Sequence, residues 1–217
     1  MADKIPPRKS IEKTRLNTKR GTKHRGPIGK AKILTVDQFT EAAEKAETRS
    51  IFASRDKLFI MLSRFCGLRS QEIARLHFED FTDVKGKITS QLSVSKRSAK
   101  YGKERTIPLR PELKEALETY VKRAGITEGP IFWSQRGEPA TPNLVQKQLG
   151  AIYQACGFKG ARSHSGRRYA ITTMAQNANT VGASLEDVRI FAGHADLSTT
   201  AEYIDKSPYA ADLVGLL

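Results

Sequence analysis

FAGHADLSTTAEYI, residues 191–204, joins a Gly-His pair, Gly193-His194, to a polar run, Ser198-Thr199-Thr200, and to Tyr203, nine positions beyond the histidine. A helix over Ser198 to about Asp205 carries that tyrosine. A lone tyrosine on an amphipathic helix is ordinarily a core or interface residue. The chain has six tyrosines, at 101, 120, 153, 169, 203 and 209, and composition does not select among them. The selection has to come from the residues around it in the rest of the chain.

Working outward, RSHSGRRYAITTMA opens a helix expected over Ser165–Ala178, with His164 and Arg167 three positions apart on its first turn. Further upstream, FCGLRSQEIARL places Arg69 at a junction of two helices. Gly67 suits the end of the first helix and Ser70 is expected to cap the second. Free amides at such a start favour an anion. Glu72, one turn on, is placed to hold Arg69 by a salt bridge. Between these stretches Ile88, Leu92 and Val94 fall on alternate positions, which argues for a strand. The polar connection KRSAKYGK leads from it into a partner strand, ERTIPL.

The remaining pattern is helical. Thr35-Val-Asp-Gln38 has capping-box form and starts a helix through Ala46; Arg55–Phe65 follows, with Leu58, Phe59, Met61, Leu62 and Phe65 on its apolar face. Pro111–Ala124 stops at Gly125, and a helix from Thr141-Pro142 ends at Gly157. Ser184–Phe191 is a further helix, and PIFW, residues 130–133, reads as a short strand. The expected class is α+β, mostly helical, with one small antiparallel sheet.

Composition bounds the function. Of a net charge of +14, nine units fall within residues 1–32, where eleven Lys or Arg face only Asp3 and Glu12. With Pro6, Pro7, Gly21, Gly26, Pro27 and Gly29, residues 1–33 read as an extended basic arm before a domain over 34–217. Such an arm suits a polyanion, above all nucleic acid. Apolar residues make up 39%, enough for one core. The chain lacks a secretory signal and any membrane-length apolar run, so a cytoplasmic, DNA-associated location is expected. Cys66 and Cys156 have neither metal-ligand nor redox spacing and read as reduced thiols. No HExxH, paired-Cys, Walker-type or GxGxxG motif is present, so no metal or cofactor is expected. Phosphoryl chemistry in such a chain must neutralise the attacked phosphodiester with arginines, whose guanidinium groups stay charged and bind phosphate oxygens in pairs.

GLRSQE, a hairpin lysine ahead of KERTIPL, then HSGR, then AGHADLSTTAEY, in this order, resembles the tyrosine recombinase (phage integrase) family over roughly residues 35–205. The resemblance implies that family's catalytic-domain fold and a catalytic set of Arg69, Lys100, His164, Arg167, His194 and Tyr203, with Glu72 supporting. Lys96 and Lys103 flank Lys100 in the same hairpin and compete with it for the acid's role. The family usually has Leu where Gly166 stands and often His where Arg168 stands. About 34 residues precede the core, as in the compact single-domain members. DNA contacts are expected from Lys9, Arg15, Lys19, Arg20, Lys23 and Arg25 of the arm and from Lys96, Lys103 and Arg168.

The implied reaction is attack of Tyr203 on a DNA phosphate. His164 acts as base, Lys100 as acid, and His194 bonds a non-bridging oxygen. The implied partners are double-stranded DNA sites, a homotetramer on DNA and accessory DNA-bending proteins. The C-terminal apolar residues, Tyr209 to Leu217, either dock on a neighbouring protomer or fold back. A non-cutting DNA-binding regulator and a type IB topoisomerase are the competing classes.

Overall fold

The computed structural model describes residues 29–98 and 104–203. Lys100 and Lys103, the arm cations from Lys9 to Arg25, and the C-terminal apolar segment lie outside them. Three helices open the domain: α1 (Val36–Arg49), α2 (Ala53–Phe65) and the short α3 (Ser70–Ala74). A two-stranded antiparallel sheet, β1 (Gln91–Val94) and β2 (Arg105–Pro108), follows. Five more helices complete the order: α4 (Pro111–Ala124), α5 (Pro142–Ala155), α6 (Ser165–Asn177), α7 (Leu185–Ala192) and α8 (Leu197–Ala201).

Local chemistry sets most of these boundaries. Thr35 Oγ1 accepts from the Gln38 amide at 3.2 Å and Gln38 Oε1 accepts from the Thr35 amide at 3.1 Å, the expected capping box. Thr141 Oγ1 caps α5 ahead of Pro142, and Gly125 ends α4 in the left-handed region at φ 60°. α2 is the hub, packed against α1, α4, α5 and α6. It buries Leu58, Phe59, Ile60 and Leu62, while Met61 and Phe65 are half-buried at its margin. Arg55 and Asp56 are buried beside each other at 2.7 Å, and Arg55 Nη1 donates to the Trp133 carbonyl at 2.9 Å. Buried charges persist only when paired in this way.

Leu92 pairs with Ile107 and Val94 with Arg105, and all four point inward. Two expectations need correction. PIFW does not form a strand: Pro130 and Trp133 make single bridges to His77 and Pro139, and the chain turns at Ser134–Gly137 before a ladder builds. Ser70 does not cap α3. Arg69 occupies the cap position and its amide donates to Glu72 Oε2 at 2.8 Å, so the carboxylate does the capping and the buried Ser70 hydroxyl has no partner. Both cysteines are free thiols, Cys66 buried and Cys156 half-buried; burial pushes the Cys66 thiol up to about 12. Among the described residues no helix is long and apolar enough to cross a membrane.

Candidate active site

Three chain junctions build the site: the α2–α3 turn carrying Arg69, the α7–α8 turn carrying His194, and the start of α6 carrying His164 and Arg167. α7 ends because Gly193 adopts φ 59°, and the His194 amide then bonds back to the Arg189 carbonyl at 3.1 Å. This reversal turns the His194 ring into the protein, where it is 3% exposed.

Arg167 ties two of these turns together. The residue is 2% exposed. Nη1 donates to the Gly67 carbonyl at 2.6 Å, and Nη2 to the Ala192 carbonyl at 2.8 Å. One cation thereby satisfies the carbonyls just before Arg69 and just before His194, at helix ends that leave such groups unpaired. Nη2 also lies 2.8 Å from His194 Nε2. An arginine only donates, so Nε2 is the acceptor and the proton sits on Nδ1, 2.8 Å from Thr200 Oγ1 of α8. The pKa values agree: burial, then the charges of Arg167, Arg69 and Arg105, push His194 down to about 4. Burial and the Arg69 charge lower Arg167 to about 10, which leaves it cationic at neutral pH.

Arg69 is half-buried, its side chain 17% exposed. Nη1 meets Glu72 Oε1 at 3.2 Å and Nη2 reaches the Gly193 carbonyl at 3.5 Å. Burial opposes ionisation of Glu72, yet hydrogen bonds and charge from Arg105 and Arg69 hold its carboxyl below the usual range. Arg105, from β2, binds both Glu72 oxygens, at 3.0 and 3.1 Å. Tyr203 follows α8, and its ring stacks on His194 with centroids 5.6 Å apart and planes 27° apart. Thr172 of α6 donates to the Tyr203 carbonyl at 3.4 Å.

The structure therefore brings Arg69, Glu72, Arg167, His194 and Tyr203 together through direct contacts. His164 is exposed at the start of α6 and shares with Tyr203 a cleft of about 180 Å³ that Lys30 and Arg168 also line. Arg167, three residues on, is buried instead. His194 Nε2 is taken by Arg167, so the expected bond to a phosphate oxygen requires that contact to open. Arg168 donates to the Ala31 carbonyl at 2.6 Å and holds the base of the arm. Lys96 is exposed, its amide bonded to Glu104 Oε1 at 3.2 Å. Sequence reasoning missed Thr200 and Arg105. The signal for Arg105 was present, since it shares β2's inward parity with Ile107, an unusual place for a charge.

A sequence model of the phage integrase family matches residues 32–209. Over 181 residues the chain is 29% identical to the tyrosine recombinase XerC of Thermodesulfovibrio yellowstonii, covering 79% of this chain and 57% of that one. Over 175 residues it is 32% identical to the XerC of Rhizobium meliloti, covering 79% and 50%. The chain thus spans about half the length of these relatives. It superposes on the XerH site-specific recombinase bound to difH substrate with a TM-score of 0.67 at 20% identity, covering 85% of this chain and 53% of that one. A lambda integrase dimer bound to a COC′ core site gives a TM-score of 0.61 at 21% identity, covering 80% and 47%. At these identities the structural likeness establishes the fold.

Proposed function

Because this chain belongs to the phage integrase family, we propose that it is a tyrosine-type site-specific recombinase that cuts and rejoins double-stranded DNA. The phenol oxygen of Tyr203 attacks a backbone phosphorus. A phosphorus–phenol oxygen bond forms and the bond to the 5′ oxygen breaks, leaving a 3′-phosphotyrosyl link and a 5′ hydroxyl. His164 receives the phenol proton, and Lys100 supplies one to the leaving oxygen. A 5′ hydroxyl from another strand reverses the step, so the phosphodiester energy is kept. Arg69, the more accessible of the two guanidinium groups, meets the non-bridging oxygens, while Arg167 supplies charge from behind and holds both turns in place. The basic arm contacts flanking phosphates. The working assembly is a homotetramer on paired sites, with accessory DNA-bending proteins where the sites require them.

The observation that carries this reading is the convergence on the Gly193–His194 turn of groups far apart in sequence: Arg69 on the Gly193 carbonyl, Arg167 on the His194 ring, and the Tyr203 ring stacked on His194. The test is incubation with nicked duplexes tiling the DNA on either side of the gene, followed by denaturing electrophoresis. A covalent protein–DNA adduct that Tyr203→Phe abolishes is expected. An adduct without site preference would point to topoisomerase-like relaxation instead. No adduct on any duplex would leave a DNA-binding regulator as the better reading.

A further inference from the structure

Arg105 has no part in the steps above, yet it is among the most enclosed cations of the domain, its side chain 4% exposed. Its partner, the Glu72 carboxylate, is wholly buried and receives four donors. Oε1 takes Arg69 Nη1 at 3.2 Å and Arg105 Nη1 at 3.0 Å. Oε2 takes the Arg69 amide at 2.8 Å and Arg105 Nη2 at 3.1 Å. The Arg105 guanidinium makes no other hydrogen bond among the described residues, and its Nε has no partner. Among the described residues Glu72 is thus the one hydrogen-bond partner of the Arg105 guanidinium. The neighbouring chain makes room for it: a β-carbon on Gly193 would lie 2.8 Å from Arg105 Nη1.

The arrangement sets a charge balance. Glu72 with Arg69 alone is a neutral pair, and the carboxylate would draw the Arg69 guanidinium fully onto itself. With Arg105 added the cluster carries one net positive charge, and its bidentate fork takes one acceptor site on each carboxylate oxygen, leaving one on each for Arg69. Lysine, a point donor, cannot occupy both oxygens in this way.

We infer that Arg105 is a positioning residue for strand cleavage: it occupies one acceptor site on each Glu72 oxygen, so that the carboxylate does not draw the whole Arg69 guanidinium onto itself. This role rests on the transesterification reading of the site. It does not require Arg105 to touch DNA.

The test measures, for the whole chain, the rate of covalent adduct formation at saturating nicked duplex, the affinity for that duplex, and thermal melting. Arg105→Lys should bind DNA within about twofold of wild type but form adduct roughly tenfold more slowly, and Arg105→Gln about a hundredfold more slowly, as small misplacements of a phosphate-binding group do. The decisive variant is Glu72→Gln/Arg105→Gln. With no carboxylate to occupy, Arg105 has no task left, so the double variant should form adduct faster than Arg105→Gln alone. A folded Arg105→Gln protein with the wild-type rate would overturn the role. So would a double variant slower than either single one, which would mark Arg105 as a purely structural ion pair. If the wild-type chain forms no adduct at all, the transesterification reading fails and this role fails with it; an adduct that Arg105→Gln leaves unchanged overturns this role alone.

Discussion

Gly166 has no side chain because α6 crosses α2 at that point. A β-carbon there would lie 2.5 Å from Ser63 Oγ and 3.0 Å from the Arg64 amide. The residue usual in the family at this position, leucine, therefore does not fit this chain. Gly166→Leu should destabilise the domain by about 1–3 kcal/mol or more through overpacking, read from urea unfolding; the gain in helix propensity, at most about 1 kcal/mol, does not offset it. The second departure has a counterpart as well: Arg168 reaches the Ala31 carbonyl. Both substitutions were visible in the sequence, but their reasons were not, because each answers to a residue a hundred or more positions away. Arg69, Arg167, His194 and Tyr203 were legible as a set through motif order. Arg167's burial was not, since spacing on a helix says which face a residue shares and nothing about what covers that face.

The elements follow their local signals closely where those signals are self-contained. The Thr35–Gln38 box, Pro142 behind Thr141 and Gly125 act within three or four residues, and the helices begin and end where these dictate. Thr35→Ala should cost about 1 kcal/mol by leaving an α1 amide uncapped, measured as a lower urea midpoint at unchanged slope. The failures have the opposite cause. PIFW carries strand-forming residues, but a strand also needs a continuous partner, and here each end finds a different one. Ser70 is a good cap by propensity, but a carboxylate already committed to two arginines reaches the free amide first. The hairpin strands were readable by alternation, including the inward parity that buries Arg105.

For the molecule as a whole, the site contributes to the response to acid. His194 is held neutral, with its pKa lowered by burial and by Arg167, Arg69 and Arg105 to about 4 from the usual 6.5. Between those values the unfolded chain binds more protons than the folded one, so the stability is complete above about pH 6.5 and declines as pH falls toward 4. Glu72, held below its usual 4.5, adds a further loss below that pH. His77, lowered by burial and Arg97, acts in the same direction as His194. Unfolding free energies from pH 7 to 4 should therefore fall less steeply for His194→Asn than for wild type, and equal slopes would remove His194 as the source. One further contact reaches across the whole chain. Lys30 Nζ donates to the carbonyl of Glu202, the residue before Tyr203, and residues 29–32 are held against the start of α6 by Arg162, Arg168 and the Gly160 carbonyl. The first and last described stretches are thus fastened to each other beside the phenol, like a latch. An outward displacement of Tyr203 would therefore strain the Lys30–Glu202 contact.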